Sequence, residues 1–389
     1  MQESKKASTE RRYEIDILRG IIALIVVLIH SIGSTQYLDS HFYESFIRNL
    51  IISLIQFNRN VFIFITAFIL VYIYNAKGLN TKNFWSKRTV GILIPYALWS
   101  ILYVLFYGRG PTFIADIYTV IIDIVSGSAY YQLYYILLAV EFYMIFPYFL
   151  QTVQRLKDRY IKVIIWVFVF QIIFNMIDYY GIQLYLLGHT SVILHFIYKY
   201  QDRFILDYLA YIVLGGLIAL NIDQFEKFLQ KYTKQIFLFL ITIILLISAS
   251  YTIETVLLHL PIYFTSNPMQ PLIVPYSIAV TFVMYYIIGS LVKKWKQKKE
   301  YKWLNFWIFI SECSFGIYLI HPLVLNAIKT DGLPMIPFVP IWGQMILLWT
   351  LTSAGTIGIV YLFMRIPYLK FTVGKPLDHK VQRNFLKAN

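Results

Sequence analysis

A run of roughly twenty apolar residues is long enough, as a helix, to cross the hydrocarbon core of a bilayer. By that rule this sequence contains ten such runs: 15–34, 47–74, 89–107, 129–150, 163–181, 204–220, 236–252, 273–292, 304–328 and 341–364. Little chain is left for anything else. Of 389 residues, 59% are hydrophobic and 14% charged, against about a quarter charged in soluble domains. So few charges cannot coat a water-soluble surface. The expected fold is all-α, a polytopic integral membrane helical bundle. Its transmembrane domain spans 13–375, between tails at 1–12 and 376–389. The stretch 112–126 is apolar but carries Asp116 and Asp123, and reads as an interfacial or re-entrant helix. The one cysteine, Cys313, excludes an intramolecular disulfide and a cysteine-rich metal site.

A net charge of +14 fits either nucleic acid or a membrane surface, and its distribution decides between them. With the N-terminus inside, the segments 1–14, 75–88, 151–162, 221–235, 293–302 and 365–389 hold 27 of the 34 Lys and Arg residues. This bias is what orients membrane proteins, and it places both termini in the cytoplasm. KKWKQKKEYK at 293–302 resembles a nucleic-acid patch in isolation; as a loop joining two spans it meets anionic headgroups. Membrane lipid, not nucleic acid, is the expected partner. No small-residue cleavage site follows the first apolar run, so MQESKKASTERR is not read as a signal peptide. There is no fixed-period repeat, and the cytoplasmic loops are too short for a second folded domain.

Ionisable groups inside spans cost a few kcal/mol each on insertion scales and are candidates for function. The first span, EIDILRGIIALIVVLIHS, carries Asp16, Arg19 and His30. Asp16 and Arg19 are three apart, neighbours on one helix face. Arg19 and His30 are eleven apart, close to three full turns, so they share a stripe about 16 Å long. Arg19 then sits near the cytoplasmic interface and His30 well inside the membrane. A cation at the mouth can hold a phosphate, and an imidazole deeper on the stripe can act as a general base. Coenzyme A has that shape, with phosphates at one end of a thin arm and a thioester at the other. The alternative makes Arg19 a snorkelling anchor and His30 a packing residue. Arg59, Glu141, Glu312 and His321 also fall within spans, and Arg59 with Glu141 or Glu312 would make a buried ion pair. No HExxH, Gly-rich phosphate loop or GxSxG elbow is present, so no metal is expected.

These segments together resemble the acyltransferase 3 family of bacterial membrane acyltransferases over roughly 13–375. The most specific feature is the arginine, ten residues and a histidine of the first span, matched by Arg19 and His30, with Asp16 and Gly20 beside the arginine. NRNVFIFITAFIL is similar to the family's Phe-rich second span without its usual glycines. In FWSKRTVGILIPYALWS, Arg88 fits the first of two family arginines and Gly91 stands at the second, with Lys87 adjacent. QLYYILLAVEFYMIFPYF resembles the fourth-span signature, with Gln132 and Tyr134 where His and Trp are frequent. SFGIYLIHPLVL matches the late motif, including Tyr318, His321 and Pro322.

Within the family the chain looks most like the exopolysaccharide-modifying branch. The resemblance implies O-acylation of a carbohydrate, with cytoplasmic acyl-CoA as donor and no metal. It further implies an acetyl or succinyl group and a setting in the bacterial cytoplasmic membrane. His30, Arg19 and Asp16 would then be catalytic, and Arg88 and Lys87 would hold the donor's phosphates. Glu141, Arg59, Tyr318 and His321 would support the substrate. A carbohydrate acceptor, with a polysaccharide synthase as a further partner, completes the expectation. The competing expectation is a polysaccharide exporter or flippase, against which the chain shows no two halves resembling one another. A third is a lipid or peptide acyltransferase on the same fold.

Overall fold

A computed structural model describes residues 11–36, 41–107 and 113–375, with backbone only at 113–116 and 333. Most of the two tails, and the Asp116 side chain, lie outside the described residues. Among those described the chain is helical, and each predicted apolar run falls on helix. In order the main helices are α1 (Tyr13–Gly33), α2 (Phe42–Ile55), α3 (Asn58–Lys77), α4 (Thr81–Arg88), α5 (Ile94–Tyr107), α6 (Phe113–Ser126), α7 (Tyr134–Leu156) and α8 (Tyr160–Met176). There follow α9 (Val192–Tyr200), α10 (Leu209–Leu220), α11 (Ile222–Lys231), α12 (Thr233–Thr252), α13 (Ile273–Gln297), α14 (Tyr301–Ala327) and α15 (Ile341–Arg365).

Among the described residues, eight continuous helical runs are long and apolar enough to cross a membrane, or nine if the pair Val192–Arg203 and Ile205–Leu220, bent by 49°, is one span. One run, Tyr134–Leu186, has 53 residues, about 80 Å at the rise of an α-helix against a core of about 30 Å. A 3₁₀ turn at Lys157–Arg159 interrupts it, where the charged KDR favours the interface. That run therefore carries both of the apolar stretches at 129–150 and 163–181. With 14 residues, α6 spans about 21 Å and falls short of a crossing.

The chain forms two compact units. The first holds the residues up to Ile25, Thr35–Leu79 and Phe146–Ile308. In it α10 packs on α3 so closely that a Cβ at Gly215 would lie 2.5 Å from the Phe64 carbonyl oxygen. Small residues at such crossings let backbones meet where no hydrophobic force drives helices together. Polar side chains between the helices are hydrogen-bonded: Asn60 Nδ2 donates to Ser277 Oγ at 2.9 Å, and Gln171 Nε2 to the Asp207 carbonyl at 3.0 Å. Gly215→Leu is expected to separate α3 and α10 and destabilise the protein by about 1–3 kcal/mol. A lower unfolding temperature of the detergent-solubilised protein checks this.

The second unit holds Val26–Ser34, Asn80–Ile145 and the chain from Phe309 on. Its core is aromatic, with Tyr96, Trp99 and Tyr103 against Leu133, Ile317, Ile320 and Val360. Each polar tip of the three finds a backbone carbonyl: Tyr96 on Ile124 at 2.6 Å, Trp99 on Thr372 at 2.9 Å and Tyr103 on Leu319 at 2.7 Å. In this way apolar ring bodies fill the interior while their polar ends fix loops. The fourth span begins later than 129. Gly127, at φ 69°, takes a left-handed conformation that side chains disfavour, and the chain turns through Ser128–Leu133 before α7 starts at Tyr134. That turn presents Tyr130 and Tyr131.

Candidate active site

The first helix is unbroken from Tyr13 to Gly33, so the stripe joining Arg19 to His30 is real helix geometry. Its first turns line a cavity of about 370 Å³ in the first unit. Among the described residues four cations face it, Arg11, Arg12, Arg19 and Lys77, with Asp16 as the acid. Asp16 bridges two of them, with Arg11 Nε at 2.6 Å and Arg19 Nη2 at 3.8 Å. Arg12 is held elsewhere: its Nη1 lies 3.0 Å from Glu226 Oε1, and its Nε donates to the Tyr72 hydroxyl at 3.3 Å. Burial opposes charge on Arg12, but Tyr72 and Glu226 more than offset it, so its pKa is raised above the ordinary value. Several fixed guanidinium forks around one acid make a site suited to phosphate, which they grip bidentately.

The last turn of α1 lines a second cavity, of about 270 Å³, within the second unit. His30 shares it with Ser34, Tyr130, Tyr131, Asn326 and Lys329. The helix ends only three residues beyond His30, so the imidazole stands at a helix end and not at mid-helix. Its ring lies 4.5 Å from that of Tyr131 and 5.3 Å, stacked at 22°, from that of His321. Behind Tyr131 a series of rings continues: Tyr130 at 4.8 Å from it, then Tyr103 at 4.5 Å and Tyr107 at 4.9 Å from Tyr130. The Tyr318 hydroxyl donates to the Gln132 carbonyl, tying α14 to the turn that carries these tyrosines. A half-buried imidazole at a cavity wall, flanked by rings, can take a proton from a hydroxyl brought beside it.

The other candidates are more scattered. Arg88 lies over the rings of Phe84, at 5.4 Å, and Tyr143, at 5.2 Å, while Lys87 is exposed. Both belong to the second unit. Arg59, in the first unit, faces Asp202 and Tyr211; Asp202 was not singled out from sequence. Glu312 lies 3.8 Å from Lys375 Nζ. Glu141 is half-buried on α7.

Sequence reasoning passed over Tyr130 and Tyr131, which it absorbed into a regular span. It also missed Arg11, Arg12 and Lys77 as cavity cations. The signal for the cations was available: Arg11 and Arg12 abut the first span and Lys77 closes the second, yet they entered only as orientation charges. No comparable signal marked the tyrosines, because the turn holding them depends on Gly127 and on tertiary contacts.

Comparison with known proteins adds a separate line. Residues 12–365 match the family model Acyl_transf_3, described as an acyltransferase domain. The chain is 24% identical over 330 residues to a Staphylococcus aureus protein named "Probable poly-beta-1,6-N-acetyl-D-glucosamine export protein", covering 82% of this chain and 83% of that one. It is also 24% identical over 391 residues to the Bacillus subtilis "Putative membrane-bound acyltransferase YfiQ", covering 95% and 96%. No solved structure matches it. With a family model covering nearly its whole length, this multi-pass membrane chain belongs to the acyltransferase 3 family.

Proposed function

We propose that the protein transfers an acyl group, acetyl or succinyl, from cytoplasmic acyl-CoA to a hydroxyl of a cell-surface or exported polysaccharide in the bacterial cytoplasmic membrane. The observation that carries this reading is the division of labour along α1. Arg19 and His30 share one stripe of this unbroken helix, about 16 Å apart along its axis over three turns. Acyl-CoA has a matching separation of phosphates from thioester.

In the reaction His30 takes the proton of a sugar hydroxyl as its oxygen attacks the thioester carbonyl. A C–O bond forms and the C–S bond breaks. The proton then passes from His30 to the departing sulfur, giving the free thiol of coenzyme A. Arg19, Arg11 and Lys77 bind donor phosphate, and Asp16 holds Arg19 and Arg11 in register. General-base help is worth roughly 10²–10⁴-fold. The reading is tested with purified protein in vesicles, given radiolabelled acetyl-CoA or succinyl-CoA and an extracted surface glycan. Label appearing in alkali-labile esters on the glycan supports it; label that stays on coenzyme A rejects it.

Export without acyl transfer is the second reading, favoured by the name of the staphylococcal relative. Loss of an exporter traps glycan inside cells. Loss of a transferase releases glycan without esters.

A further inference from the structure

His321 is wholly buried, stands behind His30 and is not among the cavity's lining residues. Its Nδ1 lies 3.0 Å from the Ile317 carbonyl one turn back. A carbonyl only accepts, so Nδ1 carries the hydrogen in this contact. The next residue, Pro322, lacks the N–H that would otherwise bond the Tyr318 carbonyl in a regular helix, and the His321 ring interacts with that carbonyl as well. Two carbonyls facing one imidazole fix its tautomer. The lone pair is then on Nε2, a buried atom with no hydrogen-bond partner among the described residues. Burial without such a partner makes a second positive charge costly there. His321 therefore presents a neutral aromatic face to His30, at 5.3 Å and 22°.

We infer that His321 is a positioning residue for the reaction proposed above. It fixes the plane of the His30 imidazole and offers a neutral ring face to the imidazolium that forms when His30 takes the hydroxyl proton. A ring face attracts a cation across such a distance. Among the described residues, the other polar or titratable groups facing the pair in this unit are Ser34, Tyr130, Tyr131, Asn326 and Lys329 around the cavity, and Tyr318 on α14, whose ring lies 6.2 Å from that of His321. Tyr131 is tilted at 50° to the His30 ring, whereas His321 stacks on it at 22°. The inference rests on the transferase reading, but its own test separates the two.

The test compares His321→Phe, which keeps a ring, with His321→Leu, which fills similar space without one. His321→Leu is expected to lower kcat for acyl transfer about 10–100-fold with KM for acyl-CoA unchanged. His321→Phe is expected to stay within about threefold of wild type. In ¹³C-histidine-labelled protein, the ring-current displacement of the His30 Cε1 resonance should persist in the Phe variant and vanish in the Leu variant. Turnover near wild type in His321→Leu overturns the positioning role alone. So does equal impairment of both variants with an unmoved His30 resonance, which is the signature of lost packing. A wild-type protein that binds acyl-CoA and transfers nothing overturns the transferase reading and this role together.

Discussion

Replacing His30 with alanine is expected to lower acyl transfer by roughly 10²–10⁴-fold while leaving the protein in the membrane at wild-type abundance. The loss follows from the cavity's composition. Among the described residues its lining contains no other imidazole and no carboxylate: the polar groups beside His30 are Ser34, Tyr130, Tyr131, Asn326 and Lys329. Among the described lining residues His30 is the one imidazole, the side chain type whose ordinary charge change falls near neutral pH. Abundance is expected to hold because His30 is half-buried at a helix end. Removing it enlarges an existing cavity and leaves the packed middle of α1 intact. Steady-state transfer assays, paired with immunoblots of the membrane fraction, check both halves. A variant that retains more than a tenth of wild-type turnover rejects the general-base role.

The second large effect is on donor binding. Arg19→Glu is expected to raise KM for acyl-CoA about 10–100-fold, the worth of one charge-assisted hydrogen bond to phosphate, with kcat changed far less. Asp16 already receives Arg11 at 2.6 Å, and a second carboxylate beside it would repel the donor's phosphates as well as remove a cation. Arg19→Lys should fall between, because an ammonium keeps the charge and loses the planar fork. Titrating the donor at saturating glycan separates the two constants. If kcat collapses at unchanged KM, Arg19 acts at the thioester and not on the phosphates.

How much of this was readable beforehand depended on whether the information was periodic. The apolar runs and the basic segments between them are linear signals, and helix occupies every run they marked. The Arg19–His30 stripe is also a consequence of helical period alone, and α1 runs unbroken through both. The contact between His30 and His321 is not, since the two are far apart in sequence and meet only once α14 is placed. Tyr131 escaped for a different reason. A pattern that counts apolar residues sees YYQLYYILL as the start of a span, whereas Gly127 delays the helix to Tyr134 and turns Tyr131 toward His30. Arg11, Arg12 and Lys77 were visible but ambiguous. The same charges that orient a membrane protein can line a ligand cavity, and composition does not distinguish the two uses. Asp202 beside Arg59 belongs with the tertiary cases.

The most direct measurement is made on cells that carry either wild-type protein or His30→Ala in place of it. Surface polysaccharide is extracted from both, its mass is determined, and its O-acyl esters are quantified after alkaline release. Equal amounts of glycan outside the two cell types, with esters missing only from the His30→Ala material, is the predicted result. Polysaccharide accumulating inside the His30→Ala cells, with the fraction that emerges as fully acylated as wild type, would contradict acyl transfer at His30 and favour export.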